Sequence, residues 1–308
     1  MQTTLTELLG IRFPIFLGGL QWISRASFVA TVANAGGGAF LTAASFSSPD
    51  DLREEIRRTR ALTSAPFGVN ISMLPEAAPG ELAMEFARVA AQEKIPFVET
   101  SGRLPTELIP LLKAADIRII HKAAVIRHAQ RAQEAGVDAV VIVGSEGGGH
   151  PGMEQVGTFV KLPAAVDALS IPVIAAGGIC DRRGFLAASA LGAKGVMMGT
   201  RWLATVECPV HPAVKQWIVD ARITDTLLIQ QSLRNPIRAI NNAQARKVLA
   251  LEEAGAGLPE LLPFISGKLG RKALENGQLD EAILTAGQCA GLIHQILPVQ
   301  EVIDQLTA

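Results

Sequence analysis

Apolar residues recur along the first two-thirds of the chain in short runs that end in glycine, asparagine, serine or lysine. An amphipathic stretch with helical spacing follows each run. The runs are nearly continuous rather than alternating, which is typical of strands buried on both faces of a parallel sheet. There are eight: PIFLGG (14–19), AFLTAA (39–44), FGVNIS (67–72), FVETSG (97–102), IRIIHKA (117–123), AVVIVGS (139–145), PVIAAGG (172–178) and GVMMGT (195–200).

Eight strand and helix units predict an α/β fold, the (β/α)8 TIM barrel. Helix-boundary residues agree with this prediction: Ser48 or Asp50 would cap the segment SPDDLREEIRRTRAL, and Gly136 would end AVIRHAQRAQEAG. The alternative is an open doubly wound sheet. It is disfavoured because no GxGxxG fingerprint opens the first helix, and the glycine triplet at 36–38 precedes a strand instead.

After Thr200 the alternation stops, and the chain is predicted to be helical up to about residue 290. We therefore predict a barrel domain at 1–206 with an added all-helical lid module at 207–290. A C-terminal helix in 291–308, PVQEVIDQL, is expected to return to the barrel. The amphipathic segments of the module are VKQWIVDA, TDTLLIQQSL, NNAQARKVLALEEAG and DEAILTAGQCAGLIHQIL.

Composition narrows the classes of function. The 308 residues are 49% hydrophobic and carry a formal net charge of −1, so a basic surface for nucleic acid is not expected. Three widely spaced cysteines support neither a disulfide framework nor a zinc site, and no metal is predicted. No apolar run approaches the length of a membrane span, and the N-terminus lacks a signal-peptide pattern. A cytoplasmic protein without a membrane partner is expected.

Glycines and polar residues gather where the predicted strands end, which is the face on which a TIM barrel carries its active site. AAGGICD and MMGT would expose backbone N–H groups for a phosphate, with Asp181 capping the next helix. GGLQW would let a flat ligand lie against the backbone, and Lys122 could place a positive charge near a ring that becomes anionic on reduction. This combination favours flavin mononucleotide (FMN) over a sugar phosphate, although glycine and asparagine also occur at strand ends simply to turn the chain.

The stretch GSEGGGHPG (144–152) follows a buried strand and combines three consecutive glycines with a histidine. Glycines allow the backbone to pass close to a ligand, and His150 has an ordinary pKa near 6.5, suited to proton transfer. His121 precedes Lys122 and should therefore point to the opposite face of its strand. It is expected to be structural, and Cys180 is expected to pack in the core. The same structural role is expected for His128, His211 and His294.

These motifs together resemble the nitronate monooxygenase family, a family of flavin-dependent barrels, over essentially the whole chain. Within the family the chain looks closest to a bacterial branch that includes NAD(P)H:quinone reductases. Two departures concern the shape of the pocket: Leu20 stands where the branch often has methionine, and Glu-Gly-Gly-Gly at 146–149 stands where relatives often carry a larger residue. The matching motifs are PIFLGGLQW, VANAGG, PFGVNIS, IIHK, GVDAVVIVGSEGGGHPG, PVIAAGGI, ALGAKGVMMGTRWLAT and SLRNPIRA.

The resemblance implies FMN as the cofactor and His150 as the catalytic histidine facing it. It also implies a set of cofactor contacts at the ends of the strands. These contacts are Gly18, Gly19, Leu20, Gln21, Asn70, Lys122, Gly148, Gly149, Ala176, Gly177, Gly178, Met198, Gly199 and Thr200.

The activity expected from the resemblance is the oxidation of alkyl nitronates with O2. NAD(P)H:quinone reduction is an alternative, with NAD(P)H as a cosubstrate lying under the helical module and the MLPEAAP loop (73–79). Flavin-dependent enoyl-thioester reduction is another, and a non-catalytic flavin-binding protein is the alternative from a different class. The expected partner is a small-molecule substrate, and a homodimer is a candidate assembly.

Overall fold

The computed structural model describes residues 2–73 and 80–308, and its main feature is a closed barrel of eight parallel strands. Each strand coincides with one of the eight apolar runs, so the TIM-barrel prediction is confirmed and the open doubly wound sheet is wrong. The strands are β1 Ile15–Leu17, β2 Gly38–Thr42, β3 Gly68–Met73, β4 Phe97–Gly102, β5 Arg118–Ala123, β6 Ala139–Val143, β7 Val173–Ala176 and β8 Gly195–Met198.

Helices follow the strands and begin and end largely where the sequence predicts. Ser48 caps its helix by accepting a hydrogen bond from the Asp51 N–H, which confirms the predicted boundary. The helices are α1 Thr4–Leu9, α2 Ala26–Asn34, α3 Pro49–Leu62, α4 Gly80–Gln92, α5 Ile109–Ala114, α6 Ile126–Glu134, α7 Thr158–Ala168, α8 Arg182–Ala190, α9 Thr200–Leu203, α10 Pro212–Asp220, α11 Ala243–Glu253, α12 Leu258–Ile265, α13 Gly267–Asn276 and α14 Val299–Thr307. Residues 74–79 of the MLPEAAP loop lie outside the described residues.

Aromatic side chains fill the half of the barrel interior that lies near the amino-terminal ends of the strands. The Phe40 ring packs against Phe16 and Phe97, with centroid distances of 6.1 and 5.4 Å. Leu5 and Leu9 of α1 belong to the same buried cluster and close the amino-terminal end of the barrel. Because this half is packed with large side chains, a ligand has access only to the opposite end, where the strands finish.

The C-terminal helix α14 packs against α2 and α8. Val302, Ile303 and Leu306 bury its inner face. The indole of Trp202 is fully buried and donates a hydrogen bond to the Phe16 carbonyl at 2.9 Å, which ties the chain after β8 to the first strand. This packing stabilises the closure between β8 and β1.

The prediction of an all-helical module is wrong at TDTLLIQQSL. This stretch and SLRNPIRA form an antiparallel pair, β9 Thr226–Ile229 and β10 Ile237–Ile240. Left-handed backbone conformations at Gln230 (φ 61°) and Arg234 (φ 55°), followed by Pro236, prevent a continuous helix. The apolar residues that were interpreted as one face of a helix instead pair across two strands.

The prediction of a helix over DEAILTAGQCAGLIHQIL is also wrong. The segment contains two short 3-10 helices, Leu279–Glu281 and Gln288–Leu292, joined by a non-helical stretch. A Cβ on Gly287 would lie 2.7 Å from the Glu146 carbonyl oxygen, so this stretch passes directly against the loop that follows β6. Close approach of two backbones replaces the helix.

Packing links the 207–290 segment to the barrel on one side and to its own small cores on the other. Val214, Ile218 and Cys289 belong to the cluster that also surrounds the barrel, whereas Ile229, Val248 and Leu261 form a separate cluster. The predicted domain boundaries at 206 and 290 stay predictions. In the ranges 2–73 and 80–308, no helix has both the length and the hydropathy required of a bilayer span.

Gly68→Ala should destabilise the protein because its Cβ would lie 2.6 Å from the Phe97 carbonyl oxygen, against the packed barrel interior. We expect a loss of about 1–3 kcal/mol in the free energy of unfolding, as for overpacked cores. The matched control is Gly270→Ala in α13, where the nearest atom would be 3.5 Å away. This control should be neutral or stabilising, since alanine is the better helix former. Urea unfolding of both variants measures the difference, and equal stabilities would contradict the packing.

Candidate functional site

A row of polar side chains crosses the open end of the barrel from β3 to β5. Asn70 Nδ2 donates a hydrogen bond to Glu99 Oε2 at 2.6 Å, and Glu99 Oε1 lies 3.1 Å from Lys122 Nζ. Asn70 is the register partner of Glu99. The Glu99 side chain is fully buried, whereas 27% of the Lys122 side chain is exposed. A buried carboxylate is therefore neutralised by a cation that itself reaches the barrel mouth.

Glu99 is the residue of this row that the sequence analysis missed. A buried carboxylate is costly unless it is paired, so a glutamate inside the apolar run FVETSG was the available signal. Its Oε1 is close to the Lys122 ammonium but has no hydrogen bond within the described residues. The ion pair with Lys122 is therefore the interaction that compensates this oxygen.

His121 lies on the opposite face of β5 from Lys122, as predicted. It is buried, and its Nδ1 is 2.9 Å from Thr100 Oγ1. Burial, reinforced by the positive charge of Lys122, lowers the pKa of His121 to about 4. A histidine that stays neutral in the layer between barrel and helices has a structural role. His211 also serves structure, since its Nδ1 accepts a hydrogen bond from the Ala213 N–H at the start of α10.

The glycine loop after β6 is held in place by two segments far away in the sequence. Gly149 and Arg238 form an antiparallel bridge, with N···O distances of 3.1 and 2.7 Å. On the other side, a Cβ on Gly148 would lie 2.7 Å from the Ala286 carbonyl carbon. The Gln288 N–H donates to the Glu146 carbonyl oxygen at 3.0 Å. Both contacts come from the stretches that were wrongly predicted as helices.

Side chains inside and beside the loop satisfy its remaining polar groups. The Glu146 carboxylate accepts hydrogen bonds of 2.9 Å from the Thr158 N–H at the start of α7. Arg238 Nε donates to the Ser145 carbonyl oxygen at 2.8 Å. Buried Lys161 donates to the Ala124 and Val143 carbonyl oxygens at 2.8 and 3.2 Å. These bonds orient the loop before any ligand binds.

His150 stands at the end of this loop with its side chain open to solvent, although protein atoms crowd it from several directions. That crowding, reinforced by the positive charge of Lys122, lowers the pKa of His150 below its ordinary value. The imidazole is therefore mainly neutral at pH 7. A neutral ring near a cation can accept a proton from a molecule in the mouth, and the cation can stabilise the anion that results.

The predicted phosphate-binding turns lie after β7 and β8. Gly177 and Gly178 have φ of 93° and 74°, a conformation that favours glycine. The N–H groups of Gly178 and Gly199 make no hydrogen bond within the described residues. A Cβ on Gly199 would meet only Leu20, at 3.5 Å, so the space in front of it is open. Two free donors, with open space in front of Gly199, suit an anionic group.

Thr200 also contacts the segment after the barrel, and its predicted contact with the cofactor stays a prediction. Thr200 is buried, and its Oγ1 accepts a hydrogen bond from the Gly287 N–H at 2.9 Å. The Met198 side chain also points away from the mouth, into the layer between barrel and helices, so only its backbone faces the site. Met197 is the inward methionine, next to Ala176 in the barrel interior.

The loop after β1 forms the remaining edge of the mouth. A Cβ on Gly19 would lie 2.7 Å from Asn70 Cβ, so this glycine lets the loop pack against β3. The Gln21 amide donates to the Ala44 carbonyl oxygen at 3.1 Å and is exposed. Helix α13 reaches this loop, since the Arg271 guanidinium lies 5.1 Å from the centre of the Trp22 ring. The predicted lid thus contacts the mouth through α13.

Comparison with known proteins agrees with this geometry. Residues 2–308 match the family model described as nitronate monooxygenase. The structure of FabK from Thermotoga maritima is similar, with a TM-score of 0.91 and 38% identity over 100% of this chain and 95% of that chain. A Rhodococcus jostii protein, (3aS,4S,5R,7aS)-5-hydroxy-7a-methyl-1-oxo-octahydro-1H-indene-4-carboxyl-CoA dehydrogenase, is 32% identical over 100% of this chain and 95% of its own length. A probable nitronate monooxygenase from Staphylococcus haemolyticus is 34% identical over 77% of this chain and 78% of its own length.

Glu99→Gln should lower the free energy of unfolding by about 1–2 kcal/mol, because the Lys122 charge loses its partner. The loss stays below that of a fully buried pair since Lys122 reaches solvent. The matched control is Glu85→Gln on α4, whose pair with Arg88 is about half exposed and should contribute less than about 0.5 kcal/mol. Urea unfolding of both variants tests the difference. A Glu99→Gln protein as stable as Glu85→Gln would show that the buried pair does not stabilise the fold.

Proposed function

Since the chain belongs to the nitronate monooxygenase family, we propose that it is an FMN-dependent oxidoreductase that oxidises alkyl nitronates with O2. The observation that carries this proposal is that the loop after β6 and the end of β5 bring His150 and Lys122 to the same end of the barrel. The charge of Lys122 contributes to the lowered pKa of His150. Nitroalkane chemistry needs a base for a carbon-bound proton and a cation for the nitronate that forms. Both groups are present at the carboxyl-terminal end of the barrel, opposite the half that large side chains fill.

Three features of the barrel mouth are compatible with bound FMN. The free N–H groups of Gly178 and Gly199 would hold its phosphate. The close packing of Gly19 against Asn70 leaves a flat wall on which a ring system could lie. Lys122, held by its ion pair with Glu99, carries a positive charge towards the mouth. When bound, FMN would supply the capacity to take two electrons from the substrate and return them to O2.

His150 would take the α-proton of a neutral nitroalkane onto a ring nitrogen and hold it while the anion is oxidised. Lys122 would stabilise the negative charge on the nitro group, and its ion pair with Glu99 would keep the ammonium in position. Glycines on both sides of the loop give the imidazole its position without placing side chains in the mouth. The contact of α13 with the β1–α2 loop would exclude water from that edge.

Oxidoreduction of a coenzyme A thioester is the second candidate. It is favoured by the Rhodococcus jostii relative, whose name specifies a carboxyl-CoA dehydrogenase and whose similarity spans the whole chain. The same acid–base group and cation would serve a thioester, since an enolate also needs a base and a positive charge. Quinone reduction with NAD(P)H as electron donor stays a prediction from the sequence.

Gly199→Ala should weaken FMN binding about tenfold or more while leaving the fold intact. The new methyl group would meet only Leu20 at 3.5 Å within the protein but would occupy space beside the free N–H groups. Flavin fluorescence titration of the apoprotein measures the dissociation constant, and thermal melting checks the fold. Gly270→Ala, in α13, is the matched control. Unchanged FMN affinity in Gly199→Ala would remove this turn from the proposed phosphate site.

Anaerobic stopped-flow mixing separates the candidate substrates. Bleaching of bound flavin by propyl-2-nitronate, with no bleaching by NADH, is the expected result for nitronate oxidation. Bleaching by NADH alone would reject it in favour of quinone or thioester reduction, and reoxidation by a quinone or by an enoyl-CoA would then tell those two apart. A preparation that binds no flavin at all would overturn the proposal.

His150→Asn should reduce turnover of neutral nitroethane by about 100-fold, the usual contribution of a general base. Turnover of pre-formed ethyl nitronate should fall much less, because this anion has already lost the α-proton and needs no base. The lowered pKa of His150 predicts that nitroethane activity of the native protein persists below pH 6.5 and is lost only when the imidazole is protonated at lower pH. His128→Asn, on the exposed surface of α6, is the control. Equal losses on both substrates would exclude His150 as the base.

A further inference from the structure

A second cavity, of about 430 Å³, lies outside the site described above, between the start of α8 and α14. Its walls carry Arg182, Arg183, Arg201 and His294, with a single carboxylate from Asp181. No residue assigned above to FMN or to the reaction lines it. Apolar walls complete the cavity at Leu292, Leu297 and Leu306. Its volume is in the range of small-molecule sites.

Arg201 is the feature of this cavity that needs explanation. The residue is only 6% exposed, and Nη2 donates to the Ala204 and Gln295 carbonyl oxygens at 2.5 and 2.8 Å. Its Nε has no hydrogen-bond partner in the ranges 2–73 and 80–308, and no described carboxylate lies within 4 Å of its guanidinium. A buried cation without a counter-charge is costly, so such groups are normally paired with an anion.

The rest of the cavity is positive as well. Asp181 is already occupied, because Oδ1 caps α8 by accepting from the Gly184 N–H at 3.1 Å and Oδ2 pairs with Arg183. Arg182 is exposed and forms no ion pair among the described residues. Three guanidinium groups therefore face one carboxylate, at the positive N-terminal end of a nine-residue helix.

We propose that this cavity binds a phosphomonoester on the ribose of an adenosine nucleotide. Arg201 and Arg182 would hold the phosphate, and the leucine side chains would contact the base. Two cosubstrates carry this chemistry: coenzyme A has a 3′-phosphate on its adenosine, and NADP(H) has a 2′-phosphate. The inference goes beyond nitronate oxidation, which uses neither of these cosubstrates, and it stands on residues that the FMN site does not use.

The test is calorimetric titration of the purified protein saturated with FMN, so that the proposed phosphate turns at Gly178 and Gly199 are filled. The probes are adenosine 3′,5′-bisphosphate, adenosine 2′,5′-bisphosphate and AMP. One bisphosphate should bind about tenfold or more tightly than AMP. Preference for the 3′,5′ isomer identifies the coenzyme A type, and preference for the 2′,5′ isomer identifies the NADP type. No binding, or equal affinity for all three probes, would overturn the proposal.

Arg182→Glu tests the cavity itself, since this side chain is exposed and the variant should fold. It should lower the affinity for the preferred bisphosphate about tenfold and leave AMP nearly unchanged. Arg127→Glu, on the exposed surface of α6, makes the same charge change away from the cavity and should have no effect. Arg201→Lys keeps the buried charge but loses the planar guanidinium that suits a phosphate, so its affinity should also fall. Equal binding by Arg182→Glu and Arg127→Glu would overturn the assignment.

Calorimetry needs no turnover, so this result is independent of the nitronate assay. If the protein oxidises nitronates but does not bind the bisphosphates, only the proposed nucleotide site is wrong. A protein that binds a bisphosphate through Arg182 but does not bleach with nitronate would refute only the nitronate assignment.

Discussion

The pairing of β8 with β1 is the constraint on which the rest of the structure depends. Once the sheet is closed, alternate side chains of every strand must point into one shared interior. Large aromatic rings, packed against glycines, fill the interior near the amino-terminal ends of the strands. Polar side chains therefore lie near the carboxyl-terminal ends. Asn70, Glu99 and Lys122 lie there because they occupy inward positions near the ends of neighbouring strands.

A second constraint is the cost of burying charge, which explains two features that otherwise look unrelated. Glu99 is tolerated inside the barrel because Lys122 and Asn70 satisfy it, and the resulting arrangement presents a cation at the mouth. Arg201 is also buried, but its hydrogen bonds go to carbonyl oxygens and no carboxylate pairs with it among the described residues. The charge of Glu99 is therefore compensated within the protein, whereas Arg201 would be compensated by the anionic ligand proposed above.

The glycine loop shows how a site can be rigid without bulky side chains. Its backbone is bonded to β10 on one side and packed against residues 286–288 on the other, and its carboxylate caps α7. The imidazole of His150 is the side chain left free at its end. The segment after the barrel is thus not merely added to the fold, because it fixes the position of the residue on which the proposed chemistry depends.

The barrel, its eight strands and the caps of α3 and α8 could be predicted from the amino-acid sequence. These features follow from periodicity and from capping residues that act within a few positions of one another. It also placed His150, Lys122 and the glycine turns at strand ends. Only the tertiary structure revealed the Glu99 pair, the bridge between Gly149 and Arg238 and the uncompensated charge of Arg201. Each of these depends on residues from separate segments, whose proximity cannot be predicted from a local sequence pattern. The strands β9 and β10 look helical in the sequence because their apolar residues pair with another segment rather than with the next turn of a helix.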